Sequence, residues 1–162
     1  MSSIKHLSII KVKDDYETPY EIYYKACQDF NIFPKLDVSA TATNSKCANY
    51  YTPDEDGLTK DWNKTFWCNP PYSKVADFMK KAYYDSIKFQ VEGICLIFAK
   101  TDTKFWHSFI EGKAEVHFIK GRIKFLKHGY KTKNSAPYPS CFVIYRLERN
   151  KSLLVNNQGK LL

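Results

Sequence analysis

The sequence predicts one α/β domain of three layers, in which a mostly parallel sheet lies between helices and antiparallel strands follow near the carboxyl terminus. Three observations lead to this prediction. The chain has 162 residues, 44% of them hydrophobic, which suits a single domain with its own core. Candidate strands and helices alternate through most of the chain, and three strand candidates then follow one another. No internal repeat or low-complexity linker interrupts this order.

The first elements follow a polar N-terminal arm, residues 1–15. Thr18 and Pro19 predict a helix start, with Thr18 as the N-cap and Pro19 at the first helical position. The helix itself, YEIYYKACQDF, carries apolar residues at helical spacing. The short apolar segment FPKLDVSA predicts a buried strand that ends near Ser39. After it comes a turn-rich segment, for which we expect one helical turn over residues 46–51.

The middle of the chain gives the clearest patterns. KTFWCN predicts a strand that runs into a pair of prolines, and KVADFMKKAYYDSIK predicts an amphipathic helix. EGICLIFAK is almost continuously apolar, which is typical of a strand buried on both faces of a parallel sheet. TDTKFWHSFIEG predicts a helix capped by Thr101 or Asp102 and ended by Gly112. AEVHFI, RIKFL and SCFVIYRL are further strand candidates, and we expect residues 148–162 to form a frayed tail.

Charge and cysteine content limit the classes of function. The formal charge of +8 favours an anionic partner, with nucleic acid as the first candidate. The chain has no apolar run of membrane-spanning length and no signal-type apolar block at its N-terminus. The five cysteines are odd in number and include no CxxC pair, which argues against a disulfide framework or a zinc site. We therefore expect free thiols, no metal and a cytoplasmic location.

Two polar side chains follow predicted parallel strands. Asp37 ends the first strand candidate, and Asn69 ends the strand KTFWCN. In open α/β sheets the ligand crevice lies beyond the carboxyl ends of the parallel strands. The sequence therefore predicts that both side chains lie on one ligand-binding edge.

The turn Asn69-Pro70-Pro71-Tyr72 suits the activation of an amino group on a planar base. The nitrogen lone pair of such a group is delocalised into the ring, so the nitrogen is a poor nucleophile. The side-chain oxygen of Asn69 and the carbonyl of Pro70 could accept the two amino hydrogens and so expose the lone pair. The two prolines fix the backbone in advance, and Tyr72 can stack on the base. The alternative is a turn that only ends a strand.

Residues 120–134, KGRIKFLKHGYKTKN, combine six Lys or Arg with Phe125 and Tyr130. Basic side chains neutralise phosphates, and aromatic rings stack on displaced bases. Glycines at positions 121 and 129 predict a mobile hairpin or loop. A solvated hairpin without a partner is the alternative. The candidate contacts to nucleic acid are Lys120, Arg122, Lys124, Lys127 and Lys131.

These segments resemble a known family. NPPYS is similar to the catalytic motif of amino-methyltransferases that use S-adenosylmethionine. YETPYEIY, LDVSAT, NSKCANYYTPDEDGLTKDW, AKTDTKFWH and KGRIKF resemble, in the same order, segments of the phage-type DNA N6-adenine methyltransferases, the phage Dam family. The resemblance extends from about residue 14 to residue 146. The resemblance implies a Rossmann-like methyltransferase sheet, S-adenosylmethionine as cofactor, and in-line methyl transfer to adenine N6 in DNA after base flipping.

The resemblance also implies roles for individual residues. Thr18 and Pro19 would border the cofactor, and Asp37 would pair with its cationic amino group. Ser39 would lie beside the cofactor where other methyltransferases have a glycine-rich loop, because this chain has no glycine before Gly57. Small side chains let the backbone approach a ligand less freely than glycine does.

The cofactor half is expected to be shortened, because only 32 positions separate Asp37 from Asn69. Asp56 and Trp62 would line the adenine side of the cofactor. Arg122, within GRIKF, is the best single candidate for a contact to DNA. His107 is a further candidate for substrate contact, although a half-buried structural histidine is the favoured interpretation.

Alternatives remain open from the sequence alone. The amino group could belong to an RNA base or to a protein glutamine, or the chain could be a non-catalytic nucleic-acid-binding module with a degenerate cofactor site. From the chain length we expect no separate recognition domain. Either residues 120–138 read the DNA sequence, or specificity is low, or a second subunit of a homodimer contributes.

Overall fold

The computed structural model describes residues 16–149. Its helices are α1 (Tyr20–Phe30), α2 (Val75–Phe89) and α3 (Lys104–Phe109), and short 3-10 turns span Gly57–Thr59 and Tyr72–Lys74. Its strands are β1 (Leu36–Asp37), β2 (Asn49–Tyr50), β3 (Phe66–Cys68), β4 (Gly93–Phe98), β5 (Glu115–Phe118), β6 (Leu126–Lys127), β7 (Tyr130–Lys131) and β8 (Ser140–Tyr145). The predicted arm, residues 1–15, and residues 150–162 of the predicted tail lie outside the described part of the chain.

The main sheet is mixed and mostly parallel. Its strand order is β2-β1-β3-β4-β8-β5. The neighbours β2, β1, β3 and β4 pair in parallel, whereas β8 pairs antiparallel with both β4 and β5. Strands β6 and β7 form a separate antiparallel hairpin. The predicted α/β class and the antiparallel pairing near the carboxyl terminus are confirmed.

Both faces of the main sheet are covered, because alternate side chains of β4 enter two different cores. Ile94, Leu96 and Phe98 pack with α1 in one core, and Cys95 and Ile97 pack with α2 and α3 in the other. A strand buried on both faces explains the continuous apolar run that predicted β4. All five cysteines are free thiols. Within residues 16–149, none of the helices has the length and apolarity that a bilayer crossing requires.

Helix α1 begins later than predicted. Its first residue is Tyr20, and Pro19 is the N-cap with an extended backbone, so no side chain caps the helix. The predicted N-cap role of Thr18 is wrong, because Pro19 occupies that position and Thr18 is buried beside the cavity described below. The helix ends as its sequence suggests, with Asn31 in the left-handed conformation after Phe30.

The predicted helical turn over residues 46–51 is wrong, since this segment contains β2. Leu36 pairs with Asn49 and Asp37 pairs with Tyr50, and the main-chain N–H of Tyr51 donates to the carbonyl of Asp37 at 2.9 Å. A pairing partner distant in sequence therefore overrides the local turn propensity.

Helix α3 has Thr103 as its N-cap and ends at Phe109, so Thr101, Asp102 and Gly112 do not have their predicted roles. The strand predicted for RIKFL is confined to its last residue, Leu126. The residues before it alternate between core and solvent without a ladder of strand pairs.

Candidate active site

A cavity of about 610 Å³ lies where three parallel strands end. Residues that end or follow β1, β2 and β3 line it, including Asp37, Tyr51 and Asn69. Asp37 and Asn69 therefore lie on one edge of the sheet, as predicted, and line the same cavity. The cavity lining also includes Thr18 and Pro71.

Asp37 is a buried carboxylate that no cation pairs with among residues 16–149. Its side chain is 2% exposed. Oδ2 accepts a hydrogen bond from the main-chain N–H of Lys46 at 2.9 Å, and Oδ1 accepts one from that of Ser39 at 3.3 Å. Burial raises the pKa of Asp37 to about 6, although both hydrogen bonds and the charge of Lys46 oppose the shift. A cationic ligand group beside this carboxylate would reverse that shift.

Thr18 adds a polar group that has no partner within the described residues. Its side chain is 2% exposed, it lines the cavity, and its hydroxyl makes no hydrogen bond within residues 16–149. A buried hydroxyl without a partner costs free energy unless a ligand or water satisfies it. Ser39 lines the same cavity, whereas its predicted companion Pro19 does not.

The far wall of the cavity depends on a glycine that the sequence analysis did not assign. A Cβ atom on Gly57 would lie 2.3 Å from the carbonyl oxygen of Val38, so only glycine fits beside the end of β1. Asp56 precedes it with a φ of 50°, lines the cavity, and accepts the main-chain N–H of Leu58 at 3.2 Å. The sequence signal that could have identified Gly57 is that it is the first glycine of the chain.

Trp62 does not line the cavity, so its predicted contact with the cofactor is wrong. The side chain is fully buried in the α2 core against Phe66 and Phe78. Its indole Nε1 donates to the carbonyl of Gly57 at 2.8 Å. Trp62 therefore supports the cavity wall from behind. A buried indole with a satisfied N–H suits this role.

The proline turn presents a fixed amide at the cavity. Nδ2 of Asn69 donates to the main-chain carbonyl of Tyr16 at 2.9 Å, which leaves Oδ1 as the acceptor of this side chain. The carbonyl of Pro71 accepts the main-chain N–H of Lys74 at 3.0 Å and is used inside the turn. Pro70 is buried and does not line the cavity, so only its carbonyl could serve a substrate.

One face of the Tyr72 ring is covered by another aromatic ring of the protein. Its ring stacks on Phe98 with centroids 4.2 Å apart and planes 16° apart. Tyr16 approaches Tyr72 at 5.5 Å with the planes tilted by 49°. Tyr72 is half-buried and lies outside the lining of the large cavity. A base could therefore reach only the face that Phe98 does not cover.

The hairpin β6–β7 lies at the mouth of the same cavity. Glu17 and Leu126 exchange two main-chain hydrogen bonds of 2.9 and 2.8 Å. The carboxylate of Glu17 also accepts the N–H of Gly129 at 3.3 Å. His128, in the turn between the two strands, lines the cavity. A hairpin is present within residues 120–134, which is one of the two forms that the sequence predicted. The position of Glu17 and His128 was not foreseen because it depends on tertiary contacts.

The predicted nucleic-acid contacts differ in exposure. Arg122 and Lys124 are exposed and alternate with the buried Ile123 and Phe125, so both point away from the core. Lys120 and Lys131 are also exposed, and Lys131 lies 3.9 Å from a carboxylate oxygen of Glu21. Lys127 is half-buried.

His107 lies on α3, away from the cavity. It is exposed rather than half-buried as predicted, and its Nδ1 lies 2.5 Å from Oε2 of Glu111 on the next turn. This contact between His107 and Glu111 lies on the exposed surface of α3. It therefore has no position from which to contact a ligand in the cavity.

Comparison with known proteins identifies the family. The sequence pattern of the DNA N-6-adenine-methyltransferase (Dam) family matches residues 7–161. The chain belongs to this family. The Dam-family assignment confirms the resemblance found in the sequence, and it makes the chain an adenine-specific DNA methyltransferase that acts on the N6 amino group.

Two phage proteins illustrate the similarity of this Dam-family chain to known enzymes. The chain is 32% identical over 118 residues to the DNA N-6-adenine-methyltransferase of Haemophilus phage HP1 (strain HP1c1), covering 72% of this chain and 68% of that protein. It is 34% identical over 73 residues to the DNA N-6-adenine-methyltransferase of Escherichia phage T1, covering 44% of this chain and 30% of that protein. No solved structure matches the chain significantly.

Other residues of this Dam-family site were missed by the sequence analysis. Lys46 and Lys74 line the cavity, and the Nζ of Lys46 donates to the carbonyl of Asn44 at 2.8 Å instead of pairing with Asp37. Burial lowers the pKa of Lys46. A lysine in a turn-rich segment gives no sequence signal of its own, because most such lysines are solvated.

Proposed function

We propose that the large cavity binds S-adenosylmethionine. We also propose that the turn Asn69-Pro70-Pro71-Tyr72, at the edge of this cavity, positions a flipped adenine of DNA for methylation. The observation that carries this proposal is the position of Asp37 and Asn69 on one cavity. The first residue can hold a cationic amino group, and the second can accept the hydrogens of a base amino group.

The donor groups in the cavity fit S-adenosylmethionine. The buried carboxylate of Asp37 receives only main-chain N–H groups among residues 16–149, so an ammonium group would complete its shell. The unpaired hydroxyl of Thr18 offers a further hydrogen bond. Ser39 and Asp56 would border the same ligand. The cofactor, when bound, supplies an electrophilic methyl group on a positively charged sulfur.

The sheet supports our proposal of a Rossmann-like methyltransferase fold with a shortened cofactor half. Four parallel strands lead to β8, which lies antiparallel between β4 and β5. Within residues 38–65, which connect β1 to β3 by way of β2, the structure has one 3-10 turn and no α-helix. Each parallel crossover in this half is therefore shorter than a full strand–helix–strand unit.

The proposed chemistry acts on the charge that develops at N6. The Oδ1 atom of Asn69 and the carbonyl of Pro70 accept the two amino hydrogens and direct the nitrogen lone pair toward the methyl carbon. The new carbon–nitrogen bond would form as the methyl–sulfur bond of the bound cofactor breaks, with the electron pair of that bond going to sulfur. N6 would then carry the positive charge, which the two oxygens would stabilise until a proton passes to water. The carbonyl of Tyr16 holds the amide in place beforehand, so little reorganisation is needed.

Base flipping is required because adenine N6 lies within the base stack of a duplex, and it costs a few kcal/mol. We propose that stacking on Tyr72 repays part of this cost. The basic residues of 120–134 would hold the neighbouring phosphates, since the hairpin borders the cavity mouth. Sequence reading would fall to residues 120–138, with a homodimer as the alternative source of specificity. DNA as substrate suggests a cytoplasmic location.

The test is methyl transfer by the purified protein from radiolabelled S-adenosylmethionine to DNA, RNA and protein in parallel. We expect label in DNA only, recovered as N6-methyladenine after digestion to nucleosides. Label in RNA or protein would assign a different amino group. The protein could instead bind DNA, show no binding of S-adenosylmethionine in a calorimetric titration, and transfer no label. It would then be a non-catalytic module, and the proposed mechanism would fail.

A further inference from the structure

Tyr16 is an aromatic residue outside the proline turn that lies next to Tyr72. The two ring centroids are 5.5 Å apart and the ring planes are tilted by 49°. Phe98 covers one face of Tyr72 at a centroid distance of 4.2 Å. A base that stacks on Tyr72 must therefore use the other face, and Tyr16 is a further aromatic ring in contact with Tyr72.

Tyr16 also connects this ring pair to the cavity. The cavity lining includes Tyr16, Asn69 and Pro71, whereas Tyr72 lies outside it. The main-chain carbonyl of Tyr16 accepts the hydrogen bond from Nδ2 of Asn69 at 2.9 Å. A single residue thus holds the amide with its main chain, contacts Tyr72 with its ring and contributes to the cavity lining.

We propose that Tyr16 is the second aromatic wall of the slot for the target base, facing Tyr72. This inference rests on the proposed function. Two rings that enclose a base must be about 7 Å apart, since each stacked contact takes roughly 3.5 Å. The observed separation of 5.5 Å is too small, so the slot is closed in the DNA-free protein and the Tyr16 ring moves outward when a base enters.

The contacts around Tyr16 allow its ring to move while its backbone stays in place. The next residue, Glu17, is fixed by its two main-chain hydrogen bonds to Leu126. Rotation of the side chain therefore need not disturb the carbonyl that holds Asn69. Phe125 contacts the Tyr16 ring at 5.8 Å and provides apolar support beside the slot. A slot bounded by aromatic rings suits a planar ring such as a nucleobase.

The test begins with the wild-type enzyme and plasmid DNA, whose methylated adenines are mapped by sequencing. A duplex is then made with 2-aminopurine at the mapped adenine, a base whose fluorescence is quenched by stacking. With Tyr16→Ala we expect brighter emission from the complex than with wild type, because one stacking wall is lost. We also expect kcat/KM for the natural duplex to fall by roughly five- to 150-fold, the range for one base–aromatic stack. Tyr16→Phe keeps the ring, so it should restore the quenched emission that Tyr16→Ala loses.

Two further variants separate stacking from folding. Tyr16→Leu keeps apolar packing on Phe125 but presents no planar ring, so it should keep the wild-type melting temperature and still give the brighter emission. Tyr24→Ala removes an aromatic ring that is exposed on α1 and lies outside the cavity lining, so it should match wild type.

Three results would overturn the assignment of Tyr16. If Tyr16→Ala has wild-type emission and wild-type kcat/KM, Tyr16 does not stack on the base. If Tyr16→Ala works faster than wild type, its ring is only an obstacle. If wild-type enzyme methylates no adenine in any DNA, the proposed function itself fails and this inference fails with it, whereas adenine methylation with an unaffected Tyr16→Ala removes this inference alone.

Discussion

Asp37 and Lys46 are joined through the backbone, by a hydrogen bond of 2.9 Å from the main-chain N–H of Lys46 to Oδ2 of Asp37. The ammonium group of Lys46 turns instead to the carbonyl of Asn44. The carboxylate is therefore buried with hydrogen bonds but, among residues 16–149, without an ion pair. This arrangement leaves the position of a counter-ion open to a ligand, and it has a measurable pH signature.

We predict that the affinity for S-adenosylmethionine falls as the pH is lowered through about 6. Burial raises the pKa of Asp37 to about 6, and the ligand ammonium binds the ionised carboxylate. A ligand that requires this ionised form should bind about tenfold more weakly at pH 5 than at pH 7. Calorimetric titration at pH 5, 6, 7 and 8 measures the effect.

The variant Asp37→Asn supplies the control for this pH series. It should bind the cofactor about 10- to 100-fold more weakly at pH 7, since a charge-assisted contact is lost, and it should show no step near pH 6. DNA affinity should not change. Because Glu17, Lys46 and His128 also line the cavity, the series is repeated with His128→Gln, which should keep the step. A pH-independent wild type would show that no cation binds at Asp37.

We predict that Asn69→Ala lowers the rate of methyl transfer by about 100- to 1,000-fold while cofactor affinity stays within about twofold of wild type. The loss of one preorganised contact to a developing charge typically has this effect on rate. Single-turnover kinetics with saturating cofactor measures it. The matched variant Asn69→Asp keeps an oxygen acceptor but cannot donate to the carbonyl of Tyr16, so its rate should lie between the two. Near-wild-type turnover by Asn69→Ala would remove its catalytic role.

We predict that replacing both Arg122 and Lys124 by Gln weakens binding to all DNA sequences about equally. Both side chains are exposed beside buried neighbours, as a row of phosphate contacts requires. Each duplex phosphate contact contributes about −0.9 to the slope of log affinity against log salt, so the slope should flatten by roughly 1.8. Affinity measured across a salt series tests this.

The matched control for the basic pair is Lys80→Gln with Lys104→Gln. These lysines are exposed on α2 and α3, the helix layer opposite α1, and their loss changes the net charge by the same amount. Their replacement should leave the slope near wild type. If both double variants have equal slopes, the effect reflects overall charge rather than contact. If discrimination relaxes at one base pair instead, Arg122 reads a base.

We predict that Gly57→Ala lowers the free energy of unfolding by about 1–3 kcal/mol and also weakens cofactor binding. The added Cβ would lie 2.3 Å from the Val38 carbonyl, so β1 or the cavity wall must shift. Urea unfolding and calorimetry measure the two effects. Gly112→Ala is the control: its φ of 70° strains alanine, but the surrounding space is open, so only stability should fall. Unchanged cofactor affinity in Gly57→Ala would exclude a role for this wall.

Several elements could be predicted from the sequence because their signals are local. The amphipathic period of α2 and the apolar run of β4 each follow from the layer that the element occupies. The location of Asp37 and Asn69 on the same edge of the sheet follows from the rule that parallel strands end together at that edge. None of these required knowledge of a distant contact.

The elements that were missed depend on distant contacts. Strand β2 has only Asn49 and Tyr50, with no apolar alternation, and exists because β1 offers it partners. Trp62 lies in a polar segment, so its burial depends on α2, whose first residue comes later in the chain. The contact between Glu17 and Leu126 joins two segments that are far apart in the sequence, so no local hydrophobic pattern could predict it.

That contact has a thermodynamic consequence. Glu17 lies between Thr18, which faces the proposed cofactor, and the hairpin, which faces the proposed DNA. Its two main-chain hydrogen bonds to Leu126 give the two binding events a shared piece of backbone, so a shift imposed by one ligand reaches the groups that hold the other. Any such coupling must be reciprocal. If the cofactor strengthens DNA binding by some factor, DNA strengthens cofactor binding by the same factor.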